Sequence, residues 1–90
     1  MNNEEVLDHI AEINPEAMFP TGLEDAIIGI TNGIASDGLI VLDHQKCVEI
    51  FMERDGMSHE EAIEWMSYNV TGAFMGEHTP IFVDMKENFF

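Results

Sequence analysis

Apolar residues fall at helical spacing near the start and in the middle of this chain, with short unbroken apolar runs between. Val6, Leu7, Ile10 and Ile13 share one stripe, which predicts an amphipathic helix over Glu4–Ile13. Asn14-Pro15 stops it, because a residue before proline avoids the helical region. Asn14 can also cap one further turn, Pro15 to Met18. Phe19 to Gly22 reads as a connector. Leu23–Ile30 is expected to be a helix begun by Thr21 or Gly22. Glu24 and Asp25 would sit in its favourable first turn, and Ala26, Ile27 and Ile30 would face inward. Gly29 inside that helix weakens it and suggests close packing against another backbone. A strand over Ala26–Ile30 fits the same short run. Asn32-Gly33 would end a helix, and Ser36-Asp37-Gly38 is turn chemistry.

The pattern then sharpens. Leu39-Ile40-Val41-Leu42 reads as a buried strand that Asp43 closes. Asp43 also caps a helix through Phe51, which Gly56 can end. Cys47, Val48, Ile50, Phe51 and Met52 cover more than one face of it, so that helix must be packed on two sides or meet a partner. Ser58 followed by Glu61 is a capping box for a second helix, His59 to Phe74. Its inner stripe is Ala62, Ile63, Met66, Val70, Ala73 and Phe74, with Trp65 and Tyr68 to one flank. Asn69 and Gly72 loosen its end, and Gly76 can terminate it. Thr79-Pro80 leads to a second strand, Ile81-Phe82-Val83. The tail from Met85 ends in Phe89-Phe90, a pair expected to dock on the core.

The fold class that follows is α+β, mainly helical: a central helical hairpin, two short strands and one or two N-terminal helices. The strands flank the hairpin and can pair, provided the helices cover them. One domain is expected, with residues 1–18 a helical extension, 19–84 the core and 85–90 the tail.

Charge changes the picture most. Eighteen acidic residues stand against three basic ones, Lys46, Arg54 and Lys86, for a net charge of −15 over 90 residues. Direct binding to nucleic acid or to an anionic membrane is disfavoured, because both would repel this chain. A basic protein surface or a cation is the natural partner, and acidity that only solubilises is the alternative. An apolar fraction of 46% argues against disorder. The single cysteine, Cys47, lies on an apolar helix face and reads as a buried structural thiol. With no disulfide framework, an acidic N-terminus unlike a signal peptide and no membrane-spanning run, a cytoplasmic location is expected.

Candidate chemistry is sparse. His9, His44, His59 and His78 titrate near neutrality, but no Cys or His pair has zinc-ligand spacing and no calcium loop occurs. Ser36, Ser58 and Ser67 lack a nucleophile context. Glu77, His78 and Asp84 are the one conceivable acid–base group. No catalytic residue, cofactor or metal ligand is therefore assigned, and a non-enzymatic role is expected. The acidic faces carry more. Glu49 and Glu53 are four apart on one helix, and Glu60 and Glu64 on the next, with Glu61 between. Such like-charge pairs destabilise a helix by a few tenths of a kcal/mol each. Only Lys46 and Arg54 lie near enough in sequence to offset them. Stacked along a hairpin, these five carboxylates can copy the spacing of backbone phosphates.

Several pieces are distinctive together: Leu23-Glu24-Asp25-Ala26-Ile27-Ile28-Gly29, Lys46-Cys47-Val48-Glu49-Ile50, Arg54-Asp55-Gly56-Met57, Glu60-Glu61-Ala62, Asn69-Val70, Gly72-Ala73 and Gly76-Glu77 with Thr79-Pro80. In this set, covering about residues 19–84, the chain resembles a family of short bacteriophage and bacterial proteins of no established activity. The resemblance implies a phage-like origin, hence a host cytoplasm, and brings no catalytic residue with it. The expected function is a binding module, phage-encoded, whose acidic face Glu49, Glu53, Glu60, Glu61 and Glu64 engages a basic host protein, in its sharpest form as a nucleic-acid mimic or inhibitor. The alternative is a self-associating structural or accessory protein, a homo-oligomer, motivated by the all-round apolar helix, the seven methionines and Phe89-Phe90.

Overall fold

The computed structural model describes residues 3–17, 22–32, 38–70 and 78–88. In chain order these form helix α1 (Asn3–Ile13), a 3-10 turn (Glu24–Ala26), strands β1 (Ile27–Ile30) and β2 (Ile40–Asp43), helices α2 (His44–Asp55) and α3 (His59–Asn69), strand β3 (Ile81–Val83) and a closing 3-10 turn (Lys86–Asn88). The class is α+β and mainly helical, with α2 and α3 as a hairpin at its centre.

The sheet has the order β1-β2-β3. β2 runs parallel to β3, pairing Val41 with Ile81 and Leu42 with Phe82. Parallel neighbours need a long crossover, and here the α2–α3 hairpin is that crossover. β1 adds antiparallel to the other side of β2, pairing Ile27 with Leu42 and Ile30 with Ile40. The register shifts between Ile27 and Gly29, and the bulge turns Ile28 to solvent. Ile40 and Leu42 point from the central strand into the core, while Val41 and Asp43 stay half-buried, as period-two alternation requires.

Asp43 ends β2 and caps α2, its Oδ1 accepting from the amides of Gln45 and Lys46 at 3.1 and 3.4 Å. Gly56, at φ 68°, stops α2 in the left-handed conformation that a side chain would strain. Two residues later Ser58 Oγ accepts from the Glu61 amide at 3.2 Å, and Glu61 Oε1 accepts from the Ser58 amide at 3.1 Å. Both halves of the capping box are thus made, and the turn between the helices is as tight as the sequence requires.

Three expectations need correction. Leu23–Ile30 is not a helix: one 3-10 turn seats Ala26 in the core, and the chain then extends into β1. Ile27, Ile28 and Ile30 are β-branched and Gly29 is a poor helix former, so extended backbone wins. Gly29 is not pressed against another backbone either, for among the described residues nothing lies within 4 Å of where its Cβ would be. α3 ends at Asn69, not Phe74. The Asn69 side chain donates to the Trp65 carbonyl at 3.2 Å, and Val70 leaves helical geometry at φ −126°, ψ −72°. Ala73, Phe74, Gly76 and Phe89-Phe90 lie outside the described residues.

The core sits between the sheet and the hairpin. Leu23, Ile40, Leu42, Val48, Cys47 and Met66 are its largest fully buried side chains. Ile10 joins the same cluster, so the N-terminal helix contributes to the core. Ile13, counted in its apolar stripe, is exposed instead, and so is Ile63 of α3. Asn14 fixes the end of α1. Its Nδ2 donates to the Gly38 carbonyl at 3.1 Å, just before β2, and lies 3.4 Å from His78 Nδ1, just before β3. The amide of Glu16 bonds back to Asn14 Oδ1 at 3.1 Å, so Pro15-Glu16 is a turn and not a further helical segment.

Candidate functional site

Glu49 and Glu53 of α2 and Glu60, Glu61 and Glu64 of α3 are all exposed. Of these five, Glu61 and Glu64 line one groove, together with Met57, Trp65, Tyr68 and Asn69. The groove is shallow and open to solvent, with a volume of about 280 Å³. Glu61, Glu64, Trp65 and Tyr68 stand at positions i, i+3, i+4 and i+7 of α3, which places them along one side of the helix. The buried Ala62 and Met66 form the side turned to the core.

Two contacts hold the groove. The Trp65 indole meets the Phe51 ring edge-on, with centroids 6.4 Å apart and planes at 61°. That contact spans the α2–α3 seam and sets the orientation of the indole. Glu61 is tied to Ser58 by the capping box, and those hydrogen bonds hold its carboxyl below the ordinary glutamate range. Glu61 therefore stays ionised to a lower pH than an ordinary glutamate does. Trp65 is 44% exposed and Tyr68 is 83% exposed, so both rings face water. By sequence pattern these aromatics form a flank of the helix, separate from the carboxylates. The i, i+3, i+4, i+7 spacing was the signal that connects them.

The described cationic groups do not answer the helix carboxylates. Arg54 bonds the adjacent Asp55 through Nε and Nη2, at 3.4 and 3.3 Å, and covers the Phe51 ring at 5.2 Å from its centroid. It also reaches the Gly22 carbonyl at 3.5 Å. The histidines take other partners: His44 Nδ1 lies 3.6 Å from Asp84, and His78 Nε2 lies 2.9 Å from Glu16. Both ring nitrogens of His78 are engaged by Asn14 and Glu16, Asp84 faces His44, and Glu77 lies outside the described residues.

Cys47 is fully buried, and burial, with Asp43 nearby, pushes its thiol up to about 11. Among the described residues no three His, Cys, Asp or Glu side chains gather closely enough to hold a metal ion. The apolar positions of α2 are used internally: Cys47, Val48 and Phe51 are buried, and Ile50 and Met52 pack against the core. The helix that motivated self-association is thus covered within one chain. A second groove, about 240 Å³ and mostly apolar, runs between α1 and β1 past Val6, Ile10, Ile27 and Ile30. No described helix is long and apolar enough to cross a membrane. The chain matches no protein-family model, no curated protein and no solved structure.

Proposed function

We propose that this protein is a non-enzymatic binding module that presents the acidic surface of its α2–α3 hairpin to a basic region of a partner protein, a phage-encoded protein acting on a host protein being the form we favour. The observation that supports this reading most is the mismatch at the hairpin: five glutamates are exposed there, while the neighbouring Arg54 is spent on Asp55 and Phe51. A surface with that surplus attracts positive charge over about 8 Å at physiological salt. Glu61 and Glu64 beside exposed Trp65 and Tyr68 supply what a solvated face lacks, apolar area next to charge. The sharpest form of this activity is occupation of a groove that otherwise holds nucleic-acid phosphates.

The test is capture of host proteins on the immobilised chain at low salt, followed by stepwise sodium chloride. Basic proteins should elute by a few tenths molar salt. The variant with Glu49, Glu53, Glu60 and Glu64 all changed to Gln should retain them much less. Retention that ignores both salt and the substitutions would overturn the electrostatic mechanism.

A further inference from the structure

The α3 groove carries more chemical information than its charge. A solvated acidic helix has no need of two water-facing aromatic rings, and an apolar docking face has no need of two carboxylates on its rim. Trp65 and Tyr68 supply π faces, Glu64 and Glu61 supply negative charge, and the trough between them holds about 280 Å³. A flat, delocalised cation satisfies both at once. A guanidinium stacks on an aromatic face through cation–π attraction and donates two parallel hydrogen bonds along its edge to a carboxylate. A lysine ammonium is a strongly hydrated point charge and makes less of such a site.

The molecule shows this chemistry one seam away. The Arg54 guanidinium lies 5.2 Å from the centroid of Phe51 and bonds Asp55 Oδ1 and Oδ2 at 3.4 and 3.3 Å. Phe51 in turn meets Trp65 edge-on. The ring that would receive a second guanidinium is therefore already oriented by the ring that holds the first. None of the described hydrogen bonds or ion pairs engages Glu64, whereas Glu61 Oε1 is occupied by the helix cap.

We infer that this groove takes an arginine side chain of the basic partner, with the guanidinium against Trp65 and Tyr68 and Glu64 as its carboxylate. Glu61 stays on the cap and contributes its charge at longer range. The inference rests on the acidic binding reading above and narrows it to one residue type and one place.

Trp65 is the only tryptophan, so its fluorescence reports on the groove alone. The full chain is titrated at ~20 mM salt with an Arg-Gly repeat peptide and with its Lys-Gly counterpart, following Trp65 emission and backbone amide NMR shifts. The Arg peptide should change the emission saturably, move amides of α3 most, and bind several-fold tighter than the Lys peptide. Glu64→Gln and Tyr68→Ala, both at exposed positions, should each weaken it about five-fold, the equivalent of ~1 kcal/mol. Glu49→Gln on α2 should change it less than two-fold. Saturable Arg-peptide binding with unaltered Trp65 emission, or with no response to either α3 substitution, overturns the groove and leaves the acidic surface reading standing. Equal affinity for the two peptides overturns the arginine preference. Absence of binding by either peptide overturns the groove and that reading together.

Discussion

Gly29 sits beside the bulge of β1 with neither a left-handed backbone nor a close neighbour to demand glycine. Its backbone lies outside the left-handed region, and a Cβ there meets no described atom within 4 Å. A glycine in a strand forfeits side-chain packing and loses more conformational entropy on folding than any other residue. Gly29→Thr is therefore expected to raise stability by up to ~1 kcal/mol, seen as a higher urea midpoint with an unchanged slope. A loss of stability would mean that the bulge between Ile27 and Gly29 needs glycine. The neighbouring position shows a different logic. Ile28 is a large apolar residue turned to solvent, at 47% exposure, because the bulge shifts the register there. β1 is an edge strand, and a kinked edge is a poor template for pairing with another copy.

At the scale of elements, what was legible in the sequence was whatever local chemistry decides. Asp43, Gly56 and the Ser58/Glu61 pair mark their helix ends by short-range hydrogen bonds, and all act as their residue types require. The Ile81–Val83 strand follows Pro80 as expected, and β2 starts one residue later than read and takes in Asp43. Where the answer depends on partners far along the chain, the pattern fell short. Ala26–Ile30 fits helix or strand equally until β2 is available to pair with it, and nothing local places Ile27 opposite Leu42. Asn14 read as a helix stop, but its contacts with Gly38 and His78 are 24 and 64 residues away. The groove was half legible for the same reason. Its carboxylates were singled out one by one, while the tie between Trp65 and Phe51 needs the hairpin to close. The capping box gives this scale its prediction. Ser58→Ala should cost about 1 kcal/mol. Glu61→Gln keeps a hydrogen-bonding side chain and removes the charge, so it isolates the ionic part. Because the folded carboxyl is held below its ordinary value, ionisation favours the folded state. That contribution is complete above the unfolded glutamate pKa and disappears as pH falls through the lower folded one. The stability advantage of the parent chain over Glu61→Gln should therefore be largest near neutrality and shrink as pH falls below the glutamate range. An advantage that grows on acidification would refute this assignment.

For the whole molecule the governing quantity is a charge of −15 within a body 36 Å long. At 10 mM salt the screening length is about 30 Å, so nearly every carboxylate feels every other; at 0.5 M it is only a few Å. Described attractions that salt would weaken are few and exposed, Arg54 with Asp55 foremost, and such pairs contribute about 0–1 kcal/mol. Repulsion wins this comparison, and unfolding relieves it by spreading the charges apart. Melting temperature should consequently rise with sodium chloride, by about 4–8 °C if screening contributes ~1 kcal/mol in a domain of this size. The rise should be shallower in a chain carrying Glu49→Gln, Glu53→Gln and Glu64→Gln. A melting temperature that falls with salt would show that attractive pairs dominate, and would remove the surplus on which the proposed partner binding rests. The two effects of salt carry opposite signs and share a cause: screening that steadies the free protein should loosen the proposed hold on a basic partner. Measured on one preparation across one salt series, stability and affinity should therefore move in opposite directions, and the three substitutions should flatten both.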